Sequence, residues 1–344
     1  MSAQWSARWF GPVAGPEFEV RRLALSRGKT ATAAKPKADE RNPLWDRFMA
    51  WWEGYDVDKP KRPPVKPTVV SDHGVRYEAD RQRWETARLK LVQDLWDEGF
   101  SSPGGAEYIL NMVKFFGLNP AMSVLDLGAG LGGATRTMSE RFGVWVTGLE
   151  ADENLAEAGM ALSTKAGLAK KAPISHFDPK SFTYKPKSID CVFSKEFLFT
   201  VEDKPAFLRE VENLMKPRGQ FLFTDYVLNM SGQDSMALEK WRDYEPNEPH
   251  AWTAQDYKQA LVDLHLEVRV MEDISRDFNK LVTHAWANFI RRLEGQGVTP
   301  EDTPSLVDEL ELWTRRIQAL ESGDLRVFRF HALKRDTDRL LSSW

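Results

Sequence analysis

Residues 126–133 read Asp-Leu-Gly-Ala-Gly-Leu-Gly-Gly, so Gly128-x-Gly130-x-x-Gly133 follows an apolar run and an aspartate stands two places ahead of the first glycine. Glycines at this spacing let backbone approach a ligand closely, because no side chain stands in the way. Two chemistries use such a turn. A dinucleotide presents a pyrophosphate, which a helix N-terminus attracts and a carboxylate repels. S-adenosylmethionine presents an ammonium instead, and Asp126 suits it as a partner. Two further acids follow apolar runs downstream. Glu150 can accept from both hydroxyls of a ribose, and Asp178 can accept from an adenine amino group. Any one of these acids also reads as a helix cap. Three of them, closing three consecutive strands, point to one crevice.

Such placement asks for a parallel sheet. Apolar runs at 123–130, 144–150, 173–177, 189–195 and 219–226 alternate with helical patterns at 133–142, 152–166 and 202–215, behind a leading helix at 81–97. Nearly all-apolar strands separated by helices mean a parallel sheet covered on both faces. Two later runs, 266–273 and 325–333, read as strands, the second alternating as an antiparallel or edge partner does. The expected fold is α/β, Rossmann-like, with seven strands, helices on both faces, and a helical insert at about 273–322 before the last strand. A dinucleotide enzyme would carry a second nucleotide-binding half, and no second glycine fingerprint is present.

The front of the chain has a different character. Residues 1–42 are expected to be a mobile basic segment, since 21–42 is basic, small and polar without periodicity. Leu44, Trp45, Phe48, Met49, Trp52 and Tyr55 fall on one helical stripe, and a Pro- and Lys-rich linker follows at 58–67. Residues 43–80 are thus a Trp-rich amphipathic helix plus linker, and the main domain runs from 81 to 344. The helix reads as a lid or docking element, or as one lying in a membrane interface; Asp46, Glu53, Asp56 and Asp58 weigh against the second.

Composition narrows the classes. With 42% hydrophobic and 28% charged residues and a net charge of −4, the chain reads as a soluble globular protein with no overall pull toward nucleic acid. The single cysteine, Cys191, excludes an internal disulfide and fits a reducing compartment. No apolar run approaches the ~20 residues of a membrane span, so a cytoplasmic location is expected, with residues 43–55 the candidate for contact at the inner membrane face. His176, His250, His265, His284 and His331 lack metal-ligand spacing, and no metal is expected.

Over about residues 95–335 the chain resembles the class I S-adenosylmethionine-dependent methyltransferases, on "VLDLGAGLGG", "GLE", "FD" and "LMKPRGQFLFTD". Within them it is most similar to the phosphoethanolamine and glycine/sarcosine methyltransferases, on "SSPGGAEYIL", "FSKEFLFTVEDKPAFLREVENLMKPRG" and "FLFTDYV". The resemblance implies S-adenosylmethionine as cofactor, held by Asp126, Gly128, Gly130, Glu150 and Asp178 with backbone from Phe177 and Ser194. It also implies acceptor contacts at Tyr226, Arg242 and Tyr244. Arg242 equally suits a pair with Asp243 or Glu239, and Tyr226 a packing role. The chain departs from that group at Thr200, where the group has a histidine, and near Ala287, where it has a lysine.

Without that histidine, the tip Glu196-Phe197-Leu198-Phe199-Thr200 reads as more apolar than a small zwitterion needs. A lipid, a lipid precursor or another amphipathic molecule is the expected methyl acceptor. The alternatives are a small-amine N-methyltransferase acting on phosphoethanolamine or a glycine derivative, and a donor-binding scaffold without turnover. Glu196 and Tyr226 are the candidate catalytic residues, with Glu196 as general base if the acceptor must lose a proton; Glu196 equally reads as an orienter of the ligand or of Lys195. Thr200, Arg242 and Tyr244 are the candidate acceptor contacts.

Overall fold

The computed structural model describes residues 84–229, 235–296, 299 and 302–336. All of them belong to one unit, residues 59–344. The expected basic segment 1–42 and the Trp-rich helix and linker at 43–80 lie outside the described residues.

The apolar runs become strands: β1 (Ser123–Leu127), β2 (Trp145–Glu150), β3 (Ile174–His176), β4 (Ile189–Lys195), β5 (Met215–Leu228), β6 (Leu266–Asp273) and β7 (Leu325–Lys334). Their order in one sheet is β3-β2-β1-β4-β5-β7-β6. The first five pair in parallel, and β7 runs antiparallel to both β5 and β6. Side chains on a strand alternate between faces, and here both faces are buried. On β4, Val192 joins one apolar cluster while Cys191 and Phe193 join the other. On β5, Phe221 and Phe223 face one side and Leu222 the opposite one. Phe223 stacks between Phe221 and Phe330, with ring centroids at 4.6 and 4.7 Å. Each such side chain contributes about 1.5–3 kcal/mol by leaving water.

The helices start where their sequences cap them. They are α1 (Thr86–Trp96), α2 (Gly105–Met112), α3 (Gly133–Phe142), α4 (Glu153–Lys165), α5 (Lys204–Leu214), α6 (Met236–Tyr244), α7 (Ala254–Asp263), α8 (Ser275–Gln296) and α9 (Thr303–Ser322). Asp152 caps α4 by accepting from the Leu155 N–H at 3.0 Å, and Asp203 caps α5 by accepting from that of Ala206. Thr253 and Asp256 form a reciprocal capping box on α7.

Strand β5 is longer than its apolar pattern. It begins at Met215, four residues before the expected start, because Met215 pairs with Ile189; Lys-Pro-Arg-Gly then bulges out of the ladder before pairing resumes at Cys191↔Gln220. Helices α6 and α7 fill the stretch between β5 and β6, which hydrophobic spacing had left without assigned elements. Helices α8 and α9 stand between β6 and β7. Trp96 of α1 meets Trp286 of α8 and Trp313 of α9 edge-on, at 6.3 and 4.8 Å, so tryptophans join the three helices. Among the described residues no helix is long and apolar enough to cross a membrane.

Candidate functional site

The sheet reverses direction of winding at β1, which has β2 on one side and β4 on the other. Open α/β sheets bind ligands beyond the strand ends at such a point. A cavity of about 250 Å³ opens there, bordered by the turn after β1, the ends of β2 and β4, the Ser101–Ser102 loop and helix α9.

The turn is built to let backbone approach. Gly128 has φ +75°, and a Cβ on it would lie 2.4 Å from the Phe197 side chain. Gly130 has φ +57°, and its Cβ would lie 2.4 Å from the Ser101 hydroxyl oxygen. A side chain at Gly128 would run into the Phe197 ring, and one at Gly130 would strain the left-handed backbone and displace the Ser101 hydroxyl. Glu150 locks the turn from the end of β2: its carboxylate accepts from the Gly130 N–H at 2.7 Å and from the Asp152 N–H at 3.0 Å. Burial pushes the Glu150 proton affinity up, and those N–H donors oppose the rise.

Asp126 sits on the same strand face as Val124, toward α3, where the Thr135 hydroxyl donates to it at 2.6 Å. It is 1% exposed and lies below the turn rather than in the cavity wall. Burial raises its pKa to about 7, with the nearby Glu150 charge adding to the rise and the Thr135 bond opposing it. Ser194 is also buried behind the wall, its hydroxyl donating to the Leu127 carbonyl at 2.9 Å and tying β4 to β1. Phe177 packs on Phe182 and Phe197, at 5.6 and 5.9 Å. Asp178 caps the short turn Pro179–Ser181, accepting from the Lys180 N–H at 2.9 Å and the Ser181 hydroxyl at 3.0 Å. Those two bonds hold its carboxyl below the usual range and leave one lone pair on each oxygen.

The opposite half of the cavity carries fixed charge. Lys195 donates to Glu196 at 2.6 Å and to the Ser102 hydroxyl at 2.8 Å, while Thr224 donates to the other Glu196 oxygen at 2.7 Å. Glu196 holds this place with φ +44°, a left-handed backbone uncommon for a residue with a side chain. Arg316 makes a two-point pair with Glu245, both bonds at 2.7 Å, and the Trp241 indole N–H donates to Glu245 at 2.6 Å. Arg88 donates twice to one oxygen of Glu309, at 3.1 and 2.8 Å, and the Trp313 indole N–H satisfies the other at 2.9 Å. The Arg316 guanidinium lies over the rings of Trp313 and Tyr226, at 4.8 and 5.5 Å. Tyr226 borders the cavity, and its buried hydroxyl has no hydrogen-bond partner. Burial drives its pKa far upward, so it stays a neutral donor.

Of the residues expected from sequence, Gly128, Gly130, Glu150, Glu196, Thr200 and Tyr226 line the cavity. Asp126, Phe177, Asp178 and Ser194 do not line it, and neither do Arg242 and Tyr244, which lie at the end of α6. Their neighbour Glu245 takes the lining place, and Tyr244 lies under the Arg315 guanidinium at 5.3 Å. Thr200 ends the turn Leu198–Thr200 with its hydroxyl donating to the Phe197 carbonyl at 2.8 Å. Phe197, Leu198 and Phe199 of the apolar tip are buried, Phe197 against Phe207 and Phe199 against Tyr226 and Trp241, and Phe197 and Phe199 also border the cavity. Glu196 is therefore held by a lysine and a threonine rather than among phenylalanines.

Arg88, Glu245, Glu309 and Arg316 were not legible as site residues. A signal existed in α9, where Glu309, Trp313 and Arg316 recur at i, i+4 and i+7 and so share one helix face.

The donor set fits S-adenosylmethionine. Two glycine positions form a cradle that a Cβ would fill, and acids close β1 and β2. The Gly130 N–H, which a pyrophosphate would require, is already given to Glu150, so the turn does not fit a dinucleotide.

Comparison with known proteins agrees. Residues 104–269 match the family described as "Methyltransferase domain". Phosphoethanolamine N-methyltransferase 3 of Arabidopsis thaliana is 28% identical over 219 residues, 63% of this chain and 43% of that protein. The glycine/sarcosine/dimethylglycine N-methyltransferase of Actinopolyspora halophila is 30% identical over 116 residues, 34% of this chain and 20% of that protein. The chain spans about half the length, or less, of the curated relatives it matches. Among solved structures, phosphoethanolamine N-methyltransferase 2 of Haemonchus contortus, in complex with phosphomonomethylethanolamine and S-adenosylhomocysteine, shares the fold. Its TM-score is 0.65 at 20% identity, covering 74% of this chain and 59% of that one. Residues 104–269 thus match a methyltransferase domain, and over most of its length the chain is similar to S-adenosylmethionine-dependent phosphoethanolamine and sarcosine N-methyltransferases, whose fold it shares.

Proposed function

We propose that the protein transfers a methyl group from S-adenosylmethionine to the nitrogen of a small, charged amine of the phosphoethanolamine or glycine type. The observation that carries this reading is the charged acceptor half of the cavity, where Lys195–Glu196, Arg316–Glu245 and Arg88–Glu309 stand as three ion pairs. A lipid tail gains nothing from such a wall, whereas a small ion bearing both signs of charge finds oriented partners. The names of the curated relatives support the same acceptor class.

When bound, S-adenosylmethionine supplies an electrophilic methyl group on a sulfonium. The protein's part is positional, since holding a nucleophile in line at near-contact distance provides most of the acceleration in such a displacement. In this reading Gly128 and Gly130 bring backbone against the donor, Asp126 carries charge beneath its ammonium, Glu150 accepts from the ribose hydroxyls, and Phe177 and Asp178 border the adenine. Ser194 holds β4 against β1 below them. On the acceptor side Glu196 receives the N–H of the amine, and its remaining lone pairs take the proton that the ammonium nitrogen must lose to free the lone pair that forms the C–N bond. Tyr226 donates its unpartnered hydroxyl to the anionic end, beside Arg316. Thr200 shapes the wall between them. Arg242 and Tyr244, one turn back on α6, support the segment that carries Glu245.

The test is turnover of purified protein with S-adenosylmethionine, read as S-adenosylhomocysteine formed, on phosphoethanolamine, glycine derivatives and lipid extracts. Turnover on a water-soluble amine is expected. Turnover confined to lipid extracts, or donor binding with none on any acceptor, would overturn the reading.

A further inference from the structure

Arg136 ends the first turn of α3, 9% exposed, and among the described residues its guanidinium makes no direct ion pair with a carboxylate. Its partners are all neutral oxygens from separate segments. One terminal nitrogen donates to the Leu131 carbonyl at 2.8 Å, the Gly159 carbonyl at 3.3 Å and the Ser163 hydroxyl at 3.3 Å; the other donates to the Gly99 carbonyl at 3.3 Å. Leu131 belongs to the glycine turn, Gly159 and Ser163 to α4, and Gly99 to the loop that continues into Ser101 and Ser102. The fit is tight on both sides of the guanidinium: a Cβ on Gly99 would lie 2.3 Å from it, and one on Gly132 would lie 2.9 Å from it.

Burying a cation is costly, and here Glu140 and Glu98 act on it only through space, without a direct bond. Burial draws the Arg136 pKa below its usual value. A core could be closed at this place by an apolar side chain. What the planar fork of an arginine adds is several donors at fixed angles from one rigid group. These bonds hold the glycine turn and the Ser101–Ser102 loop at a set separation, and both line the cavity.

We propose that Arg136 is a positioning residue for the methyl donor, which clamps the glycine turn, the loop at 97–102 and α4 into their binding arrangement before the donor arrives. The inference rests on the reading of this cavity as a donor site. Arg136 touches no reacting atom; it lowers the ordering cost of donor binding, which otherwise subtracts from affinity.

The experiment reads donor binding and loop order separately, and needs no acceptor. S-adenosylhomocysteine affinity is measured by calorimetry for the wild type, Arg136→Lys and Arg136→Met, with thermal unfolding followed on the same samples. Arg136→Met should bind at least about tenfold more weakly and Arg136→Lys should fall between, since one ammonium cannot hold four oxygens in a plane. A merely structural role would lower the unfolding temperature while the folded protein kept the wild-type affinity, and affinity within about twofold of wild type in folded variants overturns the proposal. Amide exchange of the wild type gives an independent reading. Residues 97–102 and 128–133 should be protected without ligand, and fast exchange there that slows only when S-adenosylhomocysteine is added would also overturn it. Wild-type protein that fails to bind S-adenosylhomocysteine at all would instead remove the donor-site reading beneath it.

Discussion

Replacing Asp126 by asparagine separates what the donor site needs from what the fold would prefer. Burial raises the Asp126 pKa from an ordinary 3.8 to about 7, against the pull of the 2.6 Å bond from Thr135. At about 1.4 kcal/mol per unit, a rise of about three units corresponds to roughly 4 kcal/mol between the protonated and charged forms. The folded value lies above the unfolded one, so this stability is fully present below about pH 4 and is lost as pH rises through about 7. Asparagine does not titrate. The stability of Asp126→Asn relative to wild type should therefore climb by about 3 kcal/mol between about pH 5 and about pH 8, every other titrating group cancelling in the difference. Urea unfolding of both proteins at the two pH values measures it. Donor binding should move the other way. The charged carboxylate is the form an ammonium prefers, so wild-type affinity for S-adenosylhomocysteine should rise by up to about tenfold per pH unit below 7 and level off above it, while the variant stays flat. Parallel stability curves for the two proteins would refute the argument, because they would mean that Asp126 ionises alike in the folded and unfolded chains.

Other changes follow from the same geometry. Gly130→Ala places a Cβ 2.4 Å from the Ser101 hydroxyl at φ +57°; calorimetry should show S-adenosylhomocysteine affinity at least about tenfold lower in a protein that still unfolds cooperatively. Tyr226→Phe removes a buried hydroxyl without a partner, so the thermal unfolding temperature should hold or rise while the acceptor KM increases and the donor affinity does not change. Glu245→Gln leaves the Arg316 guanidinium buried without its charge partner and should cost about 3–5 kcal/mol in urea unfolding; a loss below about 1 kcal/mol would mean that the pair contributes little and that Arg316 is solvated by other means.

The glycine turn and the acids beside it, the proposed donor half of the site, were legible because their pattern is local. Asp126, Gly128 and Gly130 fall within five residues of one strand-to-turn junction, and Glu150 closes the next strand. Once the strands are identified, their ends must meet at the winding switch. Asp178 shows the limit of that logic: an acid after a strand serves equally as a cap, and here it does cap a turn. The acceptor half was not legible, because it is assembled from distant places. Arg88 and Glu309 are 221 residues apart, and Glu245 and Arg316 are 71 apart. Reading residues 196–200 by composition suggested an apolar wall for a lipid; Phe197 and Phe199 do border the cavity, but mostly buried, and the ion pairs beside them had no local signature.

From sequence alone came the parallel sheet, the seven strands in order, the glycine turn and the identity of the methyl donor, all written in periodicity and in spacings shorter than one strand–helix unit. Tertiary structure alone decided which side chains border the cavity. Long-range ion pairs form only when helices from opposite ends of the chain meet, and whether an aromatic residue lines a cavity or fills the core depends on neighbours that no local pattern specifies.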